Sequence, residues 1–500
     1  MAASKWRWGL PFLFALMFFA SYHPINLGFL GFFQLVPLLL YAQLTPPGKK
    51  SFFVAWGGGY VAFLLGYSWF AYTVPIGPWF TAIYLGLYVP IFVVLVRRLG
   101  VLWSPVVWVA TEVLRSVIFG GLPWLLIGYT QHDLLYVIQI ADLGGIWLVS
   151  LLVAFVNAAV VHPRRAVKAA AAGLVVASAI YGAIRVETLK MYEGPKIAVV
   201  QPNIPQSLKQ SSLDRSGVAD ANYRRHFDLT VQAAEGKPDL IVWPEAAIYR
   251  GVVVNLNGEP DWITTKWFYR LVEPAKISGI DMVIGTLVVE ERSGQTDTYT
   301  NSAVLVTPEG KIAGRYDKIH LVPFAETFWL FRPLVRWFSN LALEEFRAGT
   351  GVEVWERGGN RFGAQICYEA IFPEISREIA RKGGTFTVNI SNDGWFKASG
   401  ELDQMLVMAR FRSIENRMQV IRATNTGISA FIEPTGRVQS KLEVDGRCKE
   451  VEGVLAGRIR LTEATTLYRA VGDWAKWLTL GAAAAELLRR FLIDRKKKAA

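Results

Sequence analysis

Histidine and cysteine are scarce in this chain, with five His and two Cys in 500 residues. The five His are scattered without HxxxH or HxxH spacing, so the sequence offers no metal-ligand set. No GxGxxG and no GxxxxGK[ST] occurs, which removes the usual phosphate-cradling loops and with them nucleotide binding. Two cysteines raise the question of one disulfide, but a bridge would silence either thiol as a nucleophile. Cys367 follows an apolar strand-like run and Cys448 sits in the turn-like Asp445-Gly-Arg-Cys448, and both are read as free thiols. Internal repeats, low-complexity tracts and long linkers are missing as well. Three stretches, 21–27, 72–78 and 120–138, contain no Lys or Arg at all.

That last absence acquires meaning beside what is abundant. The chain is 52% hydrophobic with 18 Trp, too apolar for an ordinary soluble protein. Apolar runs at 8–22, 26–44, 52–73, 77–96, 100–119, 140–161, 167–185 and 474–493 read as about eight transmembrane helices. The first run is short and follows Lys5 and Arg7 as in a signal peptide. It has no small-x-small cleavage site and a second run follows at once, so it is read as a retained helix. Lys5 and Arg7, Lys49 and Lys50, Arg97 and Arg98, then Arg164, Arg165 and Lys168 fall in every second loop, and Arg489, Arg490 and Arg495 to Lys498 close the chain. By the positive-inside rule both termini are cytoplasmic and 186–472 lies on the far side of the membrane. These edges hold fifteen basic residues against Asp494 alone, more than the whole net charge of +12. The positive charge is therefore a topology signal, and no nucleic-acid partner is expected.

Between the seventh and eighth runs the pattern is repeated strand and helix. Strands are expected at 196–201, 239–243, 282–290, 301–307, 311–317, 361–366, 385–390, 419–424 and 427–432. Helices are expected at 215–236, 260–278, 373–381 and 401–418, and Pro308-Glu-Gly310 makes a hairpin turn. The class is α/β, a layered sheet-and-helix domain. The expected organisation is a seven-helix membrane bundle over 1–190, the α/β domain over 191–465, a closing membrane helix over 472–494 and a basic tail over 495–500.

Three fragments in that domain carry chemistry. They are Leu240-Ile-Val-Trp-Pro-Glu245, Arg315-Tyr-Asp-Lys318, and Arg361-Phe-Gly-Ala-Gln-Ile-Cys-Tyr-Glu369. Each sets a carboxylate, an ammonium or a thiol at or just past a strand end. A thiol nucleophile needs a base for its proton and a positive group for the oxyanion it creates, and this set can serve both needs. Singly, each residue has a plainer reading: a capping acid, a solvated hairpin lysine, an inert core cysteine. Within the membrane runs, Glu112 and Arg115 stand three apart on one helical face. They are read as an ion pair, or as a polar contact for a lipid head group. Trp8, Trp56, Trp69, Trp79, Trp103, Trp108 and Trp124 are read as interface anchors.

Trp243-Pro-Glu245, Lys318 and Ile366-Cys-Tyr-Glu369 together resemble the Glu-Lys-Cys signature of the nitrilase superfamily. The fused apolar runs, with Gly121-Leu-Pro-Trp124, Gln201-Pro-Asn-Ile-Pro-Gln-Ser-Leu-Lys209, His320-Leu-Val-Pro-Phe324, Ile390-Ser-Asn-Asp-Gly-Trp-Phe396 and Arg422-Ala-Thr-Asn-Thr-Gly427, resemble the bacterial apolipoprotein N-acyltransferases over nearly the full length. The resemblance implies a nitrilase-like α-β-β-α sandwich beside the membrane bundle, in the bacterial inner membrane with the sandwich periplasmic. It implies an acyl chain passed from a phospholipid, phosphatidylethanolamine, through Cys367 to the N-terminal amine of a diacylated apolipoprotein. Glu245 would be the base, Lys318 and the Tyr368 N–H would face the oxyanion, and Glu369 and Glu326 would stand near the nucleophile. No cofactor or metal is implied.

Two positions depart from the family pattern, Gln210 where a Trp is usual and Ala325 where a Gly is usual. The first bears on donor preference and the second restricts the backbone. An amidase tethered to the membrane, releasing its acyl group to water, shares every one of these residues and differs only in the acceptor. A third reading, an inactive membrane scaffold, is opposed by the intact Glu-Lys-Cys set.

Overall fold

The computed structural model describes residues 5–208, 216–254, 265–290, 298–322 and 346–499. The chain divides into two compact units, one formed by residues 1–189 with 466–500 and the other by 190–465.

The first unit is helical. Helices Gly77–Leu99, Val137–Val161 and Arg165–Glu187 are long and apolar enough to cross a membrane. The other expected runs are also helical among the described residues, but shorter, interrupted or, in the last of them, charged. Leu10–Ala20 has 11 residues, or roughly 16 Å at 1.5 Å per residue, well short of a bilayer core. Ser104–Arg115 ends at its own buried charges, and Trp474–Ala499 carries Glu486, Arg489, Arg490 and Asp494 in its second half. Polar side chains tie the broken helices together. Asn157 accepts from the Leu35 N–H at 2.8 Å and donates to the Gly31 carbonyl at 2.8 Å. An apolar surrounding makes such contacts obligatory for exposed backbone groups.

The Glu112–Arg115 pair is intrahelical at 3.4 Å, and it holds a loop. Arg115 donates to the carbonyls of Trp124 and Leu125 at 2.7 and 2.8 Å, while Glu112 accepts from the Ile127 N–H at 2.7 Å. Both side chains are buried. Of the two sequence readings, the structure realises the ion pair.

Among the described residues the second unit has thirteen strands: β1 (Tyr192–Gln201), β2 (Leu240–Val242), β3 (Ile248–Val254), β4 (Asp281–Glu290), β5 (Thr298–Val306), β6 (Ile312–Asp317), β7 (Trp355–Arg357), β8 (Asn360–Ile366), β9 (Phe386–Ser391), β10 (Gln419–Thr424), β11 (Ala430–Ile432), β12 (Val438–Lys441) and β13 (Gly453–Leu461). One sheet runs β13-β1-β2-β4-β5-β6 with β3 also on β4, and the other runs β12-β11-β10-β9-β8-β7. Strand periodicity sorts the side chains. Ile197 and Val199 face the second sheet, where they meet Phe362, Ile366, Val388 and Ile421, while Ala198 and Val200 face helices Ser216–Glu235 and Thr265–Ser278. Helices Pro373–Arg381 and Gly400–Asn416 cover the second sheet through Ile375, Ile379 and Ala409. The result is an α-β-β-α sandwich.

The central strands are parallel: β1, β2 and β4 in one sheet, and β8, β9 and β10 in the other. Buried on both faces, they read as near-continuous apolar runs such as Ile197–Val200. Parallel strands also bring successive C-terminal ends to one edge of each sheet, which is where ligands are met in such folds. β3, β7, β12 and β13 lie outside the sequence expectation. β13 pairs antiparallel with β1 over Val199↔Leu455 and its neighbours, although its Gly453-Val-Leu-Ala-Gly-Arg-Ile-Arg-Leu461 mixes glycine and arginine into the apolar pattern.

Candidate active site

Four loops leave strand C-terminal ends and converge. Glu245 follows β2 by three residues. Lys318 directly follows β6, Cys367 directly follows β8, and Asn392 directly follows β9. The local backbone is shaped to present these groups. Cys367 has φ +52 and Ala246, next to Glu245, has φ +49. Left-handed backbone at a non-glycine residue costs about 1–3 kcal/mol and persists where packing over-determines it, often at functional sites. Gly285 admits the turn at Ala246, because a Cβ there would come within 2.7 Å of the Glu245 Cα. The Ala247 N–H then bonds the Gly285 carbonyl at 2.8 Å.

Glu245 is buried and has defined partners on both oxygens. Oε1 accepts from the Asn301 side-chain amide at 2.7 Å and from Lys318 Nζ at 3.3 Å. Oε2 accepts from the Asn392 backbone N–H at 2.8 Å. Burial alone would raise its pKa, but the Lys318 charge and these hydrogen bonds prevail and hold the carboxyl below its ordinary value. Lys318 is seated by backbone bonds on both sides. Its N–H donates to the Asn301 carbonyl at 2.8 Å and its carbonyl accepts from Gly349 at 2.8 Å. Asn301 therefore sets both members of the pair, through its side chain for one and its backbone for the other.

Cys367 is half-buried as a residue, but its thiol is enclosed. Burial pushes the thiol pKa well up, the Glu245 charge adds to that, and the Lys318 ammonium opposes it. The resting state is then a neutral thiol facing an ionised carboxylate, which suits proton removal during attack rather than a preformed thiolate. Cys448 is also a free thiol.

Glu369, two residues past Cys367, joins two of the loops. Its Oε1 accepts from the Tyr316 hydroxyl at 2.8 Å, the Ile319 N–H at 2.6 Å and the His320 N–H at 3.1 Å, and its Oε2 accepts from the Ile366 N–H at 2.7 Å. Burial pushes its carboxyl up to about 7 despite these four donors. Its contacts are structural, holding the Lys318 loop against the Cys367 turn. The Tyr368 ring is buried edge-on against Phe372, with ring centroids 5.1 Å apart. Behind the turn, Arg422 donates to Asn389 at 2.9 Å and to Asp393 at 2.9 Å, and Asn389 reaches the Cys367 carbonyl at 3.4 Å.

The structure thus brings Glu245, Lys318, Cys367, Tyr368 and Glu369 to one place. Glu326 lies outside the described residues, as do Gln210 and Ala325. Sequence reasoning missed Asn301 and assigned no role to Asn392. A signal existed for both: an amide inside the strand Tyr299-Thr-Asn-Ser302 is out of place by propensity, and Asn392 stands in the quoted Ser391-Asn-Asp-Gly-Trp395 stretch. Among the described residues no group of His, Cys, Asp or Glu is placed to hold a metal ion.

Residues 196–467 match the carbon-nitrogen hydrolase family, and residues 14–159 match the apolipoprotein N-acyltransferase N-terminal domain. An apolipoprotein N-acyltransferase of Geobacter metallireducens is 32% identical over 91% of this chain and 89% of its own. One from Vibrio cholerae is 29% identical over 93% of both chains. Among solved structures, Saccharomyces cerevisiae Nit3, a member of branch 10 of the nitrilase superfamily, aligns with 55% of this chain and 93% of its own. That alignment has 19% identity and a TM-score of 0.40.

Proposed function

This chain belongs to the apolipoprotein N-acyltransferase family, and we propose that it passes its acyl group through a thioester on Cys367. The observation that carries the proposal is the buried Glu245–Lys318 pair, 3.3 Å apart, beside the enclosed Cys367 thiol. The donor is a phospholipid, phosphatidylethanolamine, and the acceptor is the N-terminal amine of a diacylglyceryl-cysteine lipoprotein.

In the first half-reaction Sγ attacks the ester carbonyl of the phospholipid while Glu245 takes the thiol proton. Lys318 and the Tyr368 N–H face the oxyanion of the tetrahedral intermediate. Collapse forms the thioester and breaks the ester bond, and Glu245 returns its proton to the departing lysophospholipid alkoxide. In the second half-reaction the lipoprotein amine attacks the thioester and Glu245 takes the amine proton. The amide forms, and Glu245 gives the proton to the leaving thiolate. Proton for proton the cycle closes with no cofactor.

The loops rich in Lys and Arg support a topology in which both termini are cytoplasmic. The bundle then spans 1–190, the α/β domain over 191–465 faces the periplasm, 472–494 returns through the inner membrane, and 495–500 is a cytoplasmic tail. A reporter fused after Arg495 is expected to be active only in the cytoplasm and one inserted near Gly258 only outside. Opposite labelling overturns this orientation.

The covalent step is tested by incubating the protein with phosphatidylethanolamine and no acceptor. One acyl chain is expected on Cys367, removable by neutral hydroxylamine and discharged by a diacylated lipopeptide. A label on another residue, or clearance by water as fast as by peptide, replaces the transfer reading with the amidase.

A further inference from the structure

Glu245 Oε2 is held by a backbone N–H from a turn that the proposed reaction does not otherwise use. That turn, Ser391-Asn-Asp393, is gripped from three sides. Asn392 is buried, and its Nδ2 donates to Gln206 Oε1 at 2.9 Å, while its Oδ1 accepts from Asn425 Nδ2 at 3.0 Å. Asn425 is itself clamped to the 203–204 segment. Its Oδ1 accepts from the Ile204 N–H at 3.1 Å, its Nδ2 donates to the Ile204 carbonyl at 2.8 Å, and its carbonyl accepts from the Asn203 N–H at 2.8 Å. The third hold is Asp393, which accepts from Arg422 at 2.9 Å and from the Ser391 hydroxyl.

The amides are used unevenly. Asn425 has its side-chain nitrogen and oxygen both engaged, with the Ile204 backbone and the Asn392 side chain. Gln206 gives its oxygen to Asn392, while its own Nε2 is buried without a hydrogen-bond partner among the described residues.

We propose that Asn392 is a positioning residue for the reaction: its side chain, gripped by Gln206 and Asn425, aims its own backbone N–H at Glu245 Oε2 and holds the carboxylate toward the thiol. The inference rests on Glu245 acting as the base. It adds that the base is set by a loop from the opposite sheet, tethered to the segment after β1. Among the described residues, the titratable groups that act on Glu245 are Lys318, the Cys367 thiol and Asp393, the last neutralised in part by Arg422. None of them substitutes for a directed donor on Oε2.

The test uses the full-length protein in phospholipid micelles. Asn392→Ala keeps the backbone N–H but removes both tethers. It is expected to lower both Cys367 acylation and discharge to lipopeptide about 10- to 100-fold, the scale on which small misplacements act. The KM for lipopeptide should stay within about twofold. The acid limb of the pH–kcat/KM profile should move to higher pH, because the ionised carboxylate loses a well-aimed donor. Gln206→Leu cuts one tether from a less buried position and is expected to move the same quantities in the same direction by about three- to tenfold, with Tm unchanged. If Asn392→Ala is not recovered folded, Gln206→Leu decides. Rates within about twofold of the parent overturn the inference, as does a loss that follows the folded fraction with an unmoved pH profile. Glu245→Gln, measured alongside, separates the two claims. An active Glu245→Gln removes the base assignment, whereas an inactive one beside an unaffected Asn392→Ala removes only the positioning role.

Discussion

The two units each bury an acid–base pair of nearly the same length, Glu112–Arg115 at 3.4 Å and Glu245–Lys318 at 3.3 Å. All four side chains are shielded from solvent, and in each pair the cation draws on the carboxylate. They differ in what stands next to them. Arg115 donates to two backbone carbonyls and Glu112 accepts a backbone N–H, so that pair closes a loop among apolar helices. Glu245 and Lys318 instead act on an enclosed thiol whose pKa responds to both charges. A buried ion pair is weak evidence of anything by itself. The thiol beside it is what sets the Glu245–Lys318 pair apart from the Glu112–Arg115 pair.

The sharpest way to break that distinction is to remove the members of the proposed catalytic set. Cys367→Ala is expected to abolish both acylation and transfer, while Cys448→Ser stays within about twofold of the parent; loss in both would point to a shared structural role. Glu245→Gln is expected to slow both half-reactions by about 10²–10⁴, the range for a positioned base. Near-normal turnover in Glu245→Gln would move the base to another carboxylate. Lys318→Ala comes next, with acylation of Cys367 slowed by about 10²–10³, the cost of one oxyanion donor. Equal losses in substrate affinity alone would show that Lys318 binds rather than stabilises.

The opposite outcome is expected for the helical pair. Arg115→Met leaves a buried carboxylate without its cation and should cost about 3–5 kcal/mol of stability, read as a fall in Tm in detergent. Turnover per folded molecule should stay within about twofold. A fall in turnover with Tm unchanged would make Arg115 part of the reaction and erase the contrast between the units.

The smallest effect concerns pH. Glu369 titrates at about 7 in the folded protein against an ordinary value of 4.5, so the folded state binds its proton more tightly. Its contribution to stability is therefore complete below about pH 4.5 and lost as pH rises through 7, by about 3 kcal/mol in all. Glu245 carries the opposite sign. Its depressed pKa gives stability that is present above the unfolded value and lost as pH falls through the folded one. Glu369→Gln should remove the decline between pH 5 and 7 from the stability profile. An unchanged slope would assign that titration to another group.

Elements whose signal is local were legible in the sequence. Helix Pro373–Arg381 begins at the proline that suits a first turn, and β10 has the boundaries its apolar run implies. Elements that depend on a distant partner were not. β13 is a strand because β1 offers it an edge, and β3 because β4 does. The membrane runs show the same limit in reverse. Hydropathy marked eight, while among the described residues three helices have the length and composition to cross alone, the others being shorter, as Leu10–Ala20 is, or charged, as Trp474–Ala499 is. Hydropathy measures transfer of a segment, not the place where its helix stops.

The sequence by itself determined the inventory: an α/β segment between apolar runs, a carboxylate, an ammonium and a thiol at strand ends, and a family signature written in short motifs. Those properties are local, since strand period, turn residues and side-chain chemistry act over a few positions. Tertiary structure alone decided which polar residues became the site's supports. Asn301, Asn392 and Asn425 are interchangeable with any other asparagine when read along the chain. They acquire roles only because β5, in the same sheet as β2, and a turn from the opposite sheet bring residues 56 and 147 positions from Glu245 within 2.7 and 2.8 Å of its oxygens. In a buried, poorly solvated site such hydrogen bonds decide whether a carboxylate stays charged and where it points, and no local pattern encodes their partners.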